Sequence, residues 1–85
     1  MAAENRNDKL ARLAQFKADA ETAYDKMYDV YTNAEIRWQF EVADESLSAA
    51  WRIAQELAME EESNAIRLRH QHIRDVYRHQ FRRQT

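Results

Sequence analysis

The sequence predicts an all-α protein that folds as an antiparallel bundle of three helices, and three observations support this prediction. Glycine and proline are both absent from the 85 residues, so the common turn residues and the main helix breakers are missing together. Apolar residues recur at steps of three and four along most of the chain. Polar residues around Asn33 and Asn64 divide it into three segments. We therefore expect helices at about 8–31, 34–61 and 65–82.

The size of the chain predicts one small helical domain over residues 1–85, with residues 1–7 as a frayed N-terminus. A mass of 10.2 kDa leaves no room for a second domain. A core this small contributes only about 3–5 kcal/mol, and disulfides cannot add to it because cysteine is absent. We therefore expect a homodimer, in which a second copy covers apolar surface that three short helices leave exposed.

Hydropathy and charge bear on membrane association and on the location of the protein. The mean hydropathy is −0.90, and no apolar run approaches the roughly 18 residues that a membrane span needs. We therefore expect no membrane association and a cytoplasmic location. The charge is uneven, because residues 66–85 carry six arginines and one acid, whereas the rest of the chain is net acidic.

The first segment has a heptad-like apolar stripe, typical of coiled coils and helical bundles. Asn5 or Asn7 is expected to cap this helix. Tyr24, Tyr28 and Tyr31 follow one another at i, i+4 and i+7 and form a tyrosine ledge. Such a ledge is either a recognition surface or the edge of the core with its hydroxyl groups in water.

The same segment carries an acidic ridge of Glu21, Asp25 and Asp29 at i, i+4 and i+8. Like charges at this spacing repel one another weakly. A cationic partner would relieve this repulsion.

The second segment opens with a capping box, because Thr32 stands three residues before Glu35. Asn33 is expected to adopt the left-handed conformation of a turn between the first two helices. Both tryptophans of this segment, Trp38 and Trp51, are expected in the core because they are large and apolar.

Residues 36–42 also fit a strand, since apolar and polar residues alternate there. Paired between two chains, such a strand would resemble the ribbon of ribbon-helix-helix DNA-binding proteins. We favour the helix, because the three-four spacing runs unbroken through these residues and acidic side chains follow directly.

The boundary between the second and third helices is expected at 60–65, with Asn64 as the turn residue. The run Glu60–Glu62 would then oppose the dipole at the end of the second helix. For this reason a continuous second and third helix, giving a long helical hairpin, is the alternative.

The last segment, 66–83, carries arginines that suit carboxylate or phosphate groups. Arg74, Arg78, Arg82 and Arg83 are the candidate partner-binding residues together with the three tyrosines. Either this helix binds nucleic acid, or Arg74, Arg78 and Arg82 neutralise the acidic ridge of the first helix, whose spacing they share, within one chain or across a dimer.

No catalytic, cofactor or metal motif is recognisable. The serines lack a histidine and an acid at a useful spacing, and a phosphate-binding loop needs glycine. His72, Asp75 and His79 share one helix face but would need further ligands. The sequence therefore predicts a non-enzymatic helical interaction module, such as a small adaptor, inhibitor or regulatory subunit, that binds a protein partner. The alternative is a nucleic-acid-associated protein that uses residues 66–83.

Overall fold

A computed structural model describes residues 5–81. It contains the helices α1 (Arg6–Met27), α2 (Asn33–Glu56) and α3 (Glu60–Val76), and α3 runs into a π-helical segment, Tyr77–Phe81. All regular structure in this range is helical, which confirms the all-α prediction and its three helices. The strand alternative for residues 36–42 is wrong, because all seven residues lie inside α2.

Contacts between the helices give their directions. An ion pair of 3.0 Å between Lys9 and Glu56 joins the start of α1 to the end of α2, so these two helices are antiparallel. The rings of Phe40 and Tyr77 stack with their centroids 4.1 Å apart and join the start of α2 to the end of α3. Helices α1 and α3 are therefore parallel, and α2 is the partner that both share.

The start of α1 follows the predicted capping chemistry. The Asn5 side chain accepts a hydrogen bond of 2.8 Å from the backbone N–H of Asp8, so Asn5 is the N-cap rather than Asn7. α1 begins at Arg6, so it includes the last two residues of the segment 1–7 that was expected to fray. Residues 1–4 lie outside the described residues.

The turn between α1 and α2 lies earlier than expected. α1 ends at Met27 rather than at residue 31, because the N–H groups of Tyr28 and Asp29 bond to carbonyls three residues back and tighten the last turn. The Thr32 hydroxyl accepts from the Glu35 N–H at 3.1 Å, as the capping box predicts. The expected left-handed Asn33 is wrong, because Asn33 is the first residue of α2.

The turn between α2 and α3 lies at 57–59, so the predicted break at 60–65 and the continuous hairpin are both wrong. The N–H of Met59 bonds to the Ala54 carbonyl at 2.9 Å and that of Ala58 to Gln55 at 3.1 Å, which is a Schellman motif. Ala58 has a φ of 55° and takes the left-handed position. Glu60–Glu62 thus form the first turn of α3, where the helix dipole favours acids.

The core lies along α2 and is narrow. Ala43, Ala50 and Ala54 are fully buried on α2, and such small side chains allow the neighbouring helices to approach closely. Met27, Ile66 and Ile73 are the largest side chains that are fully buried. The prediction that both tryptophans lie in the core is wrong, because Trp38 is 64% exposed and Trp51 is 39% exposed.

Within residues 5–81, the helices are too polar or too short to cross a membrane.

Candidate functional site

An open groove of about 780 Å³ lies at the end of the bundle where α1 stops and α2 begins. We call it the end groove. Residues of the α1–α2 turn and of the π-helical segment form most of its lining. Its lining residues are Met27, Tyr28, Val30, Tyr31, Ile36, His79, Gln80 and Phe81.

Tyr28 makes three side-chain contacts at the side of the end groove. Its ring meets the edges of Tyr24 and Phe81, with centroid distances of 5.6 and 5.1 Å. Its hydroxyl donates to Oε1 of Gln80 at 3.3 Å and lies 3.2 Å from the Tyr24 hydroxyl. Since Tyr28 donates to Gln80, Tyr24 is the donor in the second bond. Three contacts therefore fix one aromatic ring that is still 52% exposed.

Tyr24 lies deeper than Tyr28 and is half-buried. Burial disfavours its phenolate, and the hydrogen bond to Tyr28 adds to this effect, so the pKa of Tyr24 rises to about 12. The guanidinium of Arg69 lies over its ring, 5.0 Å from the centroid. Tyr24 therefore supports the groove from inside the bundle rather than lining it.

Tyr31 is 96% exposed and stands in the turn between α1 and α2. The predicted ledge of three tyrosines on one helix is thus incomplete, because α1 ends before Tyr28. The structure brings Tyr24 and Tyr28 into contact and places Tyr31 at the rim of the same groove.

The acidic ridge of α1 is neutralised only in part. Glu21 forms a two-point ion pair with Arg69, with oxygen–nitrogen distances of 2.6 and 2.8 Å. This hydrogen bonding outweighs partial burial and lowers the pKa of Glu21. Asp25 and Asp29 are exposed, and neither forms an ion pair with any residue in 5–81. They lie close to the groove in sequence, next to Tyr24 and Tyr28.

Arg74, the candidate arginine that lies on α3, does not meet the acidic ridge of its own chain. Arg74 instead donates to Oδ1 of Asp44 on α2 at 3.2 Å, and His70 Nε2 lies 2.5 Å from the same oxygen. Burial opposes the ionisation of Asp44, but these two hydrogen bonds outweigh it and lower the pKa of Asp44. Arg69 faces α1 because it lies five residues before Arg74, about 140° away around the helix.

Of the remaining candidate arginines, only Arg78 lies among the described residues. Arg78 is exposed in the π-helical segment and forms no ion pair with a described residue. Arg82 and Arg83 lie outside the described residues, so the proposed contact of Arg82 with the acidic ridge is not tested.

A second groove, of about 290 Å³, lies between α2 and α3. It was not predicted from the sequence. It is lined by Ser48, Trp51, Arg52, Arg67 and His70. One signal was available, because Trp38 and Trp51 are thirteen residues apart and so lie about 140° apart on a helix. The two indole rings therefore cannot both point into one narrow core.

Side chains able to bind a metal do not converge in the described part of the chain. No group of three or more histidine and acidic residues there is close enough to hold an ion. The ring of His72 lies against Tyr24 instead, with a centroid distance of 6.3 Å.

No family model, curated protein or solved structure matches this chain. The two grooves and the charged residues near them are therefore the features that bear on function.

Proposed function

We propose that this chain is a non-enzymatic interaction module whose end groove binds an apolar, positively charged segment of a protein partner. The observation that carries the proposal is that the exposed Tyr31 and the well-contacted Tyr28 line one groove together with apolar residues. Met27 and Ile36, which also line the groove, are both buried. Apolar groove residues flanked by tyrosines suit an apolar side chain from a partner.

The fixed position of Tyr28 favours binding. An aromatic side chain that is already ordered loses little conformational entropy when a partner docks. Tyr28 meets this condition through its contacts with Tyr24, Gln80 and Phe81. Binding energy at interfaces concentrates in a few such aromatic anchors.

Exposed acids next to the lining residues in sequence support a cationic partner on the α1–α2 side of the groove, whereas exposed Arg78 precedes the lining residue His79 on the π-helical side. Asp25 and Asp29 are exposed without an ion-pair partner among residues 5–81, and Glu35 is exposed at the start of α2. Complementary charge increases the association rate and helps to select the partner. The expected ligand is therefore an amphipathic segment with lysine or arginine beside its apolar residues.

The proposal is tested by nuclear magnetic resonance with two designed helical peptides. They share apolar residues at helical spacing, and their polar faces carry lysine in one and glutamate in the other. We expect the lysine peptide to shift the amide signals of Met27, Tyr31 and Ile36. Tyr31→Ala should weaken its binding by about 1–2 kcal/mol.

Leu68→Ala is the control, since Leu68 is also an exposed, large apolar side chain on a helix but does not line the groove. This substitution should leave peptide binding unchanged. Equal affinity for the two peptides, or signals that shift elsewhere in the bundle, would contradict the proposed groove and partner charge.

We also propose that the protein is a homodimer through the Trp38 side of α2. Trp38 is 64% exposed, and the half-buried Val42 and Ala49 continue its stripe along the helix. A second copy that covers this stripe would remove an exposed indole from water. Sedimentation should give twice 10.2 kDa at micromolar concentration, and Trp38→Ala should give the monomer mass. A wild-type monomer would contradict the dimer.

A regulatory or adaptor role in the cytoplasm remains our expectation from the cysteine-free, highly charged composition. Nucleic-acid binding by the whole arginine face of α3 has less support. Arg69 and Arg74 already bind Glu21 and Asp44, so two of its arginines are engaged within the bundle.

A further inference from the structure

The groove between α2 and α3 differs in chemistry from the end groove and lies between other helix faces. Its walls carry two arginines, one from each helix, and one tryptophan. Its volume of about 290 Å³ is close to the lower limit of small-molecule sites, roughly 300 Å³. We call it the Trp51 groove. It has room for a single small planar group and its charged substituent.

The two arginines of the Trp51 groove lack an internal counter-ion. Neither Arg52 nor Arg67 has a hydrogen bond or an ion pair to any residue in 5–81, and both are exposed. By contrast, the guanidinium groups of Arg69 and Arg74 on the same helix α3 are bound to carboxylates. Two unneutralised guanidinium groups at one groove favour an anionic ligand, since they match phosphate geometry.

Trp51 gives the groove an aromatic surface. Its side chain is 39% exposed and forms no ring pair with another described aromatic residue. Bases stack on such rings whatever their sequence, because every base has a π face. Trp51 therefore offers a stacking surface beside a phosphate-binding pair.

The remaining polar groups complete the site. Ser48 is half-buried, and its hydroxyl makes no hydrogen bond to a described residue. His70 is only 13% exposed, and Asp44 fixes the orientation of its ring through Nε2. Ser48 thus adds a hydroxyl that can donate to a ligand oxygen, and His70 forms a rigid wall.

We propose that the Trp51 groove binds a nucleotide unit, with the base stacked on Trp51 and the phosphate held by Arg52 and Arg67. A lone anion would leave the indole unused, and a neutral aromatic ligand would leave both charges unmatched. Either a free nucleotide or one unit of a single-stranded nucleic acid supplies this combination. The inference is independent of the proposed protein-binding end groove, because the two grooves share no lining residue.

The test uses the intrinsic fluorescence of a full-length Trp38→Phe variant, in which Trp51 is the one remaining tryptophan of the sequence. The probes are adenosine monophosphate, a single-stranded oligothymidylate of roughly ten nucleotides, and inorganic phosphate. We expect a nucleotide probe to quench Trp51 saturably, and added salt to weaken binding. Changing Arg52 and Arg67 to Gln in the same background should weaken binding about tenfold or more.

The matched control changes Arg6 and Lys26 to Gln, since both are exposed cations outside the Trp51 groove. It removes the same charge and should leave the quenching curve almost unchanged. Circular dichroism of each variant identifies any loss of fold, so a misfolded variant is not counted as a loss of binding.

The three probes distinguish a free nucleotide from a single-stranded nucleic acid and from phosphate alone. Quenching by adenosine monophosphate supports a free nucleotide as the ligand, whereas quenching by the oligomer alone supports a single-stranded nucleic acid. Phosphate that competes as strongly as either nucleotide would overturn the stacking role of Trp51. An equal loss of binding in the Arg6 and Lys26 control, or no quenching at low salt, would overturn the site itself.

Discussion

The guanidinium of Arg69 on α3 binds both carboxylate oxygens of Glu21 on α1, with Nη2–Oε1 and Nε–Oε2 distances of 2.6 and 2.8 Å. One turn along α1, the Tyr24 ring lies 5.0 Å below the same guanidinium. An ion pair between Lys17 and Glu62 joins the same two helices nearer the start of α3. The parallel helices α1 and α3 are thus linked by charged side chains, whereas each packs its apolar face against α2.

Glu21→Gln should destabilise the fold by about 1 kcal/mol. The change keeps the shape of the side chain but removes the charge that the Arg69 pair needs. The two side chains are 45% and 40% exposed, so solvent screening limits the loss despite the two-point geometry. Urea unfolding measures the effect. Asp25→Asn is the control, and an equal loss in that variant would contradict a specific role for the Glu21–Arg69 pair.

Stability should fall in acid because of Glu21 and Asp44. Their pKa values in the fold lie below their ordinary values of 4.5 and 3.8, so the unfolded chain binds more protons as the pH drops. The stabilisation from both groups is complete above the ordinary values and is lost as the pH falls through the folded values. A double variant, Glu21→Gln with Asp44→Asn, should show a flatter dependence of unfolding free energy on pH. An unchanged slope would contradict these lowered pKa values.

Ala58→Gly should stabilise the protein by about 1 kcal/mol. Ala58 holds the left-handed position of the Schellman motif with a φ of 55°, where a Cβ atom costs roughly 1–2 kcal/mol. Glycine removes that cost. Its greater conformational entropy in the unfolded chain offsets part of the gain in stability. Thermal unfolding measures the gain.

The matched control for Ala58→Gly is Ala18→Gly, at an exposed position inside α1. There glycine should destabilise by about 1 kcal/mol, because it lowers helix propensity without relieving any strain. Destabilisation of similar size at both positions would show that Ala58 is not strained.

The starts of α1 and α2 were predictable because their signals are local. Asn5 and Thr32 cap helices through hydrogen bonds to residues three positions away. Each cap can therefore be recognised from a short stretch of sequence. The turn at Ala58 was not predictable in this way. Alanine has no preference for a left-handed conformation, and Asn64 is a better turn residue that the fold uses inside α3.

The candidate site was only partly predictable, since it depends on the register between helices. The sequence singles out Tyr28 and Tyr31, but Phe81 and Gln80 reach Tyr28 from more than fifty positions away. In the same way, the sequence suggested Arg74 as a partner for the acidic ridge. The rotation of α3 about its axis instead brings Arg69 to Glu21 and Arg74 to Asp44.

Tyr24 should ionise at unusually high pH, because its pKa is raised to about 12 from the ordinary 10.0. The difference in phenolate absorbance between the wild type and Tyr24→Phe isolates this titration. The folded state then binds the proton more tightly than the unfolded state, so Tyr24 stabilises the fold below pH 10 and loses this effect as the pH rises through 12.

Tyr28→Phe tests the cause of the high pKa of Tyr24. Burial is the larger contribution and remains, but the bond that Tyr24 donates to the Tyr28 hydroxyl is lost. The pKa of Tyr24 should therefore fall part of the way towards 10.0, while far-ultraviolet circular dichroism at each pH verifies that the helices persist. A pKa that stays near 12 in this variant would mean that burial accounts for the whole shift, and that Tyr24 does not fix the ring of Tyr28 through its hydroxyl.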